Sequence, residues 1–306
     1  MLFKKNKNPN VIKDTVGDRI FHGISTLFLV LILIIVGYPV IYVISCSFSS
    51  DEALSVGRVL FLPVDPVLDG YKFVFRFQRI WLGYRNSLFY VVFGVTITMV
   101  LQILAAYPLA RRHYQGRSPI MMIFFFTTMF TAGLIPTYMV KSALGLVNNV
   151  WSILLAGAVG VTNMIILRTA FQSTIPGELY DAAAIDGASE FQTMTRVALP
   201  LVKATISTLI LYSAIGCWNE YFTSMIYLRN ENLYPLQLFL RTILATAKAL
   251  TAEDLGSAKD MVGSTVSGTN QIQYALIVLS TAPVLLLYFF VQSSFKKGVM
   301  IGSVKG

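Results

Sequence analysis

Six residues set in otherwise apolar stretches carry hydrogen-bonding groups or aromatic faces: Gln102, Asn163, Trp218, Asn219, Glu220 and Tyr221. Polar side chains in such surroundings are costly to bury, so they mark either a route for a polar solute or hydrogen bonds between packed helices. Both readings stand at Asn219 and Glu220, and packing comes first at Gln102 and Asn163. Covalent chemistry lacks its parts. Only His22 and His113 occur, with no His-Glu-x-x-His, no Gly-x-Ser-x-Gly and no paired acids inside an apolar run. A Gly-x-x-x-x-Gly-Lys-Ser/Thr loop is also missing, so this chain does not hold ATP in the way a P-loop does. The sequence reads as that of a protein that is not an enzyme, with no catalytic residue and no metal-ligand set.

The elements that position these residues follow from composition. Of 306 residues, 55% are hydrophobic and 13% charged, and the mean hydropathy is +0.66, too apolar for an ordinary soluble domain. Five runs, 24–44, 87–110, 120–140, 150–167 and 272–291, hold no Asp, Glu, Lys or Arg, and a sixth, 204–227, holds Glu220 alone. Each comes close to the ~20 residues that a helix rising ~1.5 Å per residue needs to cross ~30 Å of hydrocarbon. Spanning backbone must satisfy its own amides, and a barrel would alternate apolar with polar residues in short segments. The expectation is an all-α membrane protein, a single transmembrane domain over 1–306. Its six transmembrane helices are expected at about 20–46, 86–110, 119–140, 150–171, 203–227 and 271–292. The first run is too long for a signal-peptide core and is followed by no small-x-small cleavage site.

An even number of spans puts both termini on one side. Lys4, Lys5, Lys7, Lys13 and Arg19 precede the first span, and Arg111, Arg112 and Arg117 lie between the second and third, against Lys141 alone in the 141–149 loop. By the positive-inside rule both termini face the cytoplasm. The net charge of +9 is scattered over the loops rather than gathered in a stripe, which excludes nucleic acid as its explanation and suits lipid headgroups. Cys46 and Cys217 read as packed free thiols rather than a disulfide. Pro108, Pro136 and Pro283 can kink their helices, while Gly94, Gly133, Gly157 and Gly160 mark close helix contacts. Glu220 falls about 17 residues into its span, roughly 25 Å from the cytoplasmic end, so it suits a gate, an outer contact or a structural pair more than a deep proton relay. The external stretch 228–270 is helical in type over 236–250 and polar from Thr251 onward.

The segment 172–202, between the fourth and fifth spans, reads as two short helices with a built-in break. Pro176 suits a first helical position, Gly187 a left-handed helix stop, Ser189 with Gln192 a capping box, and Pro200 a terminator. Leu179, Ala182 and Ala183 share one face by spacing, and Phe191, Met194 and Val197 or Ala198 another. Such a pair either rests on the membrane surface or docks on a partner. The pattern Asp181-Ala182-Ala183, then Gly187, then Val197 and Leu199-Pro200 resembles the cytoplasmic EAA signature of binding-protein-dependent ABC importer permeases of the MetI-like family. It departs from that signature in Asp181 for Glu and Val197 for Ile.

The stretches FTAGLIPTY (130–138), WNEY (218–221), YLRNENLYPLQ (227–237) and KGVMIGSVKG (297–306) resemble the carbohydrate branch, and within it the LplC/YtcP type of polysaccharide and oligosaccharide permease. This resemblance implies the type I importer fold and a coupling role for Asp181, Ala182, Ala183, Asp186, Gly187, Val197, Leu199 and Pro200. It also implies partners: a second, unlike permease, two ATP-binding subunits that use ATP and Mg, and an extracellular sugar-binding protein. No cofactor is then held by this chain itself. The place implied is a bacterial cytoplasmic membrane, and the solute is an oligosaccharide, passing along a route to which the six opening residues are candidates. The competing class is a secondary, ion-coupled transporter, which would call for more intramembrane acid than Glu220.

Overall fold

The computed structural model describes residues 15–251 and 269–302, and helices are the only regular elements among them. The chain divides into two compact units, Met1–Gly70 with Ser267–Ala275, and Tyr71–Val266 with Leu276–Gly306.

In the first unit, α1 (Val16–Phe48) opens on a full capping box: Asp18 N donates to Thr15 Oγ1 at 3.3 Å, and Thr15 N donates to Asp18 Oδ2 at 2.9 Å. Its 33 residues exceed the ~20 that a span needs, and among them only Ser45, Cys46 and Ser47 are buried. An apolar helix bare on every side is a lipid-facing or partner-facing element. The short α2 (Asp51–Ser55) is capped by Ser50, whose hydroxyl accepts from Ala53 N. Gln271, in the first turn of the last helix, donates from Nε2 to Val67 O at 2.7 Å and accepts on Oε1 from Gly70 N at 3.1 Å. A Cβ on Gly70 would meet Gln271 O at 3.1 Å, a tight approach that glycine relieves.

In the second unit, α3 (Asp69–Arg76), whose first two residues belong to the first unit, leads into α4 (Gln78–Ala110), the central helix. Its buried residues recur at four-residue spacing through Tyr90, Gly94, Thr98, Gln102 and Ala106. Helices α5 (Arg117–Met129), α6 (Leu134–Ala143) and α7 (Trp151–Leu154) follow, then α8 (Val161–Thr174) and α9 (Gly177–Ile185). Next come α10 (Glu190–Gln192), a π turn (Thr193–Ala198), α11 (Leu199–Leu201), α12 (Lys203–Asn219), α13 (Phe222–Tyr227), α14 (Leu236–Thr251) and α15 (Thr269–Gly302), the first residues of α15 belonging to the first unit. Val95, Met99 and Ala106 of α4 share one core with Met164, Leu167 and Phe171 of α8 and Leu209 and Ala214 of α12. Burying a side chain of this size contributes about 1.5–3 kcal/mol, so α4 is held from two sides.

Three of the expected continuous spans are broken. The 119–140 run bends by 117° between α5 and α6, where Gly133 takes φ +78 with nothing within 4 Å of its missing Cβ. Gly133 is therefore a turn residue and not the close contact its type suggested. The 150–171 run stops at Leu154 and resumes at Val161, and Gly157 there is likewise open and left-handed rather than packed. The 203–227 run stops at Asn219, because Glu220 turns extended and its carboxylate caps the next helix. Apolar composition averages over residue types and does not register such backbone breaks. Gly94 does mark a close contact, its missing Cβ lying 3.6 Å from Cys217 Sγ. Both cysteines are free thiols. The 236–250 helix is present as α14, and the polar stretch after Thr251 lies outside the described residues.

Candidate functional site

The 172–202 segment folds as a hairpin of two short helices, for reasons local to the chain. Pro176 stands one position earlier than expected, at the N-cap of α9. At the other end Ala188 N donates to Ala183 O at 3.0 Å, and Gly187 takes φ +74, the left-handed residue that lets the chain double back to make this bond. A side chain there would cost about 1 kcal/mol of backbone strain. Ser189 and Gln192 form the capping box: Gln192 N donates to Ser189 Oγ at 3.3 Å, and Ser189 N to Gln192 Oε1 at 2.9 Å. Pro200 does not stop the second helix where expected. The missing N–H and the ring are accommodated by the preceding π turn, with Leu199 N bonded to Met194 O, and the chain swings by 82° only at Val202.

The hairpin is pinned to the C-terminal end of α4. Arg111 Nη2 donates to Glu190 Oε1 at 3.1 Å, and Tyr107 Oη donates to Glu190 Oε2 at 2.9 Å. The Arg111 guanidinium also lies 3.9 Å over the Tyr180 ring of α9, so one arginine holds both helices of the hairpin. Burial pushes the Tyr180 phenol up, against the Arg111 charge that draws it down. The last carbonyls of α4 find donors on α8, Leu109 O from Arg168 Nε at 3.0 Å and Ala110 O from Gln172 Nε2 at 3.4 Å. A cavity of about 500 Å³ opens beside the latch, lined by Tyr107, Pro108, Arg111, Glu190, Phe191 and Met194. Tyr107, Arg111 and Glu190 escaped the sequence reading. The partners stand 79 and 83 positions apart, and only the acid following Ser189 at the helix start hinted at a role.

The face turned away from α4 is open. Asp181, Ala182, Asp186, Gly187 and Pro200 are exposed, Val197 and Leu199 are half-buried, and Ala183 is buried at 7%. The apolar faces read from spacing are split: Met194 and Ala198 join the core, while Leu179, Ile185 at 87% and Phe191 at 67% are left bare. Bare apolar side chains flanked by Asp181 and Asp186 form a surface suited to a partner.

The candidate pathway residues fall at three places in the second unit. Gln102, Gly160 and Asn163 come together where α4 passes the break before α8. Trp218 is 1% exposed, and its indole N–H donates to Ser280 O at 2.9 Å, so it packs rather than offering an open ring. Asn219 is exposed, and Glu220 Oε1 accepts from Thr223 N at 2.6 Å, a cap local to the chain. Tyr221, half-buried, carries the Arg241 guanidinium 4.4 Å over its ring. Nearby on the chain, Lys141 Nζ sits 4.1 Å over Tyr227, which stacks on Tyr138. No cluster of three or more metal-ligating side chains occurs among the described residues.

No protein-family model matches the chain. Protein LplC of Bacillus subtilis (strain 168) is 36% identical over 299 residues, covering 97% of this chain and 99% of LplC. The polygalacturonan/rhamnogalacturonan transport system permease protein YtcP of the same organism is 35% identical over 295 residues, covering 96% and 100%. Among solved structures, a chain from a bacterial ABC transporter involved in the import of the acidic polysaccharide alginate superposes with a TM-score of 0.83 at 34% identity, covering 93% of this chain and 100% of that one. An all-helical architecture, an EAA-type hairpin set against the central helix and these full-length likenesses agree: the chain belongs to the sugar-importer permeases of the ABC transporter family.

Proposed function

We propose that this chain is the membrane-spanning permease subunit of an ATP-driven importer that takes up an oligosaccharide delivered by an extracellular binding protein. The observation that carries the proposal is the hairpin: locked to α4 on one side by Arg111 and Tyr107, it presents Asp181, Ile185, Asp186 and Phe191 on the other. A surface of that kind, rigidly joined to a spanning helix, transmits a push. The exposed side seats in an ATP-binding subunit, and closure of two such subunits around ATP and Mg moves α4. The chain supplies no nucleotide-binding loop of its own, so it acts as a permease and not as an ATPase. A second, unlike permease shares the pathway.

Six spans, with the breaks at 130–133, 155–160 and 220–221 inside three of them, and both termini in the cytoplasm of a bacterial cell complete the reading. The short-loop Lys and Arg bias supports that orientation. Uronic acid-rich oligosaccharides are the first substrates to test, because YtcP and the alginate transporter are named for acidic polysaccharides. The test is ATP-dependent uptake of oligogalacturonides and alginate oligosaccharides into proteoliposomes holding the whole transporter, with binding protein added. Uptake should vanish when this chain is omitted. Uptake that follows an ion gradient and ignores ATP would replace this reading with that of a secondary transporter.

A further inference from the structure

The break before α8 gathers polar groups that lack partners among the described residues. The segment 155–160 is unwound, with Gly157 at φ +71, and Leu155, Gly157 and Val159 are exposed. It lies in the outer to middle part of the expected fourth span, at a depth where unwound backbone persists only if protein covers it or it lines a wet passage. α8 starts there with no partner for its first N–H groups among the described residues, and Gly160 at the N-cap has no side chain to bond them. Behind Gly160 stands Gln102. A Cβ at position 160 would lie 3.2 Å from Gln102 Nε2 and 3.9 Å from Asn163 Nδ2. Gln102 is 0% exposed, and among the described residues neither its Oε1 nor its Nε2 has a hydrogen-bond partner. One turn to either side on α4, Met99 and Ala106 belong to the apolar core. A leucine at 102 would suit such a place better than an orphaned amide, whose desolvation is not repaid.

We propose that this break is a hydroxyl-binding station on the saccharide's route, formed by the Gln102 and Asn163 amides and the free N–H groups that begin α8. The inference rests on the reading of the chain as a saccharide permease. Each amide offers two donors and an acceptor, and a sugar hydroxyl both donates and accepts, so vicinal hydroxyls can be met in pairs. Glycine at 157 and 160 leaves no side chain between the solute and these groups. The station contains no charge, so it handles the hydroxyls common to all sugars and leaves the reading of a carboxylate to other residues. Gln102 is covered in this conformation and Asn163 half-open, which makes the station one that a solute reaches as the 155–160 segment shifts. Water shares the same chemistry, and the variants below separate the two.

The experiment uses the complete transporter in proteoliposomes with its binding protein and a panel of oligosaccharides from polygalacturonan and alginate. Gln102→Leu is expected to keep or raise the melting temperature and to slow uptake by about fivefold, the scale of one lost hydrogen bond. Asn163→Ala, at a half-open position, is expected to slow uptake by a similar factor, and that result upholds the station even where Gln102→Leu loosens the fold. Unchanged uptake in both variants assigns the break to water alone and overturns the proposal. Slowed uptake in Gln102→Leu with a matching fall in melting temperature, and none in Asn163→Ala, makes Gln102 a packing residue and overturns it too. Wild-type transporter that takes up no member of the panel removes the functional reading itself, and the station with it.

Discussion

Arg111, the residue that ends the central helix α4, is bonded at 3.1 Å to Glu190, the first residue of the second hairpin helix, and lies over Tyr180 of the first. This places one cation at the junction of α4 and both arms of the hairpin. The Glu190 side chain is 70% exposed against 20% for Arg111, so the pair contributes little to folding, on the order of 0–1 kcal/mol. On the proposed reading its value is mechanical.

Glu190→Ala is therefore expected to leave the melting temperature of the purified subunit within a few degrees of wild type, since less than about 1 kcal/mol is lost. It should nevertheless lower saccharide-stimulated ATP hydrolysis several-fold. Measuring stability and stimulated hydrolysis on the same preparation separates the two effects. A variant with full stimulation would deprive the latch of its role.

Gly187→Val places a β-branched residue at φ +74, and Asp181→Lys reverses a charge on the exposed face. Both should insert in the membrane and both should abolish saccharide-stimulated hydrolysis, the first by bending the hairpin and the second by repelling its partner. Co-purification of the ATP-binding subunit gives the direct readout. Normal co-purification and stimulation in Asp181→Lys would show that the docking surface lies elsewhere.

The hairpin was legible in the sequence because its determinants are local. Gly187 and the Ser189–Gln192 box act within a few residues, and the structure reproduces both. The six apolar runs were legible because composition alone marks them, and they recur as helical stretches. The breaks were not. Gly157 and Gly133 sit in runs as apolar as any other, and whether a glycine turns or packs is decided by what stands beside it. Nor was the latch legible, since Tyr107 and Arg111 meet Glu190 only once α4 and the hairpin are brought together.

Glu220 separates charge from capping. Its carboxylate accepts from Thr223 N and so starts α13. Glu220→Gln keeps an acceptor there and is expected to retain most uptake, while Glu220→Ala should lose about 1 kcal/mol of local stability and change the uptake rate. Equal uptake kinetics for wild type and Glu220→Ala across the oligosaccharide panel would reduce the residue to packing. A loss with Gln as large as that with Ala would assign the role to its charge.

Trp218, buried at 1% with its N–H bonded to Ser280 O, is a core residue of the second unit. Trp218→Ala removes a large side chain and is expected to cost about 3–5 kcal/mol, visible as a markedly lower melting temperature in detergent. Trp218→Phe should cost less, because it keeps most of the buried area and gives up the single hydrogen bond. A stable Trp218→Ala subunit with altered substrate choice would instead move this ring to the solute's side.

The central claim, that ATP-driven closure of a partner reaches the pathway through the hairpin, is tested most directly by one covalent lock. With Cys46 and Cys217 replaced by serine, cysteines placed at Tyr107 and Glu190 are joined by a short bifunctional reagent in the assembled transporter, and uptake and ATP hydrolysis are followed before and after. The unlinked double-cysteine variant lacks the Glu190 latch and should couple poorly. If hairpin and α4 move as one body, the lock restores coupled uptake, whereas a flexible Gly-Ser insertion after Gln192 abolishes it and leaves basal hydrolysis running. Coupled uptake that survives the insertion would contradict the account.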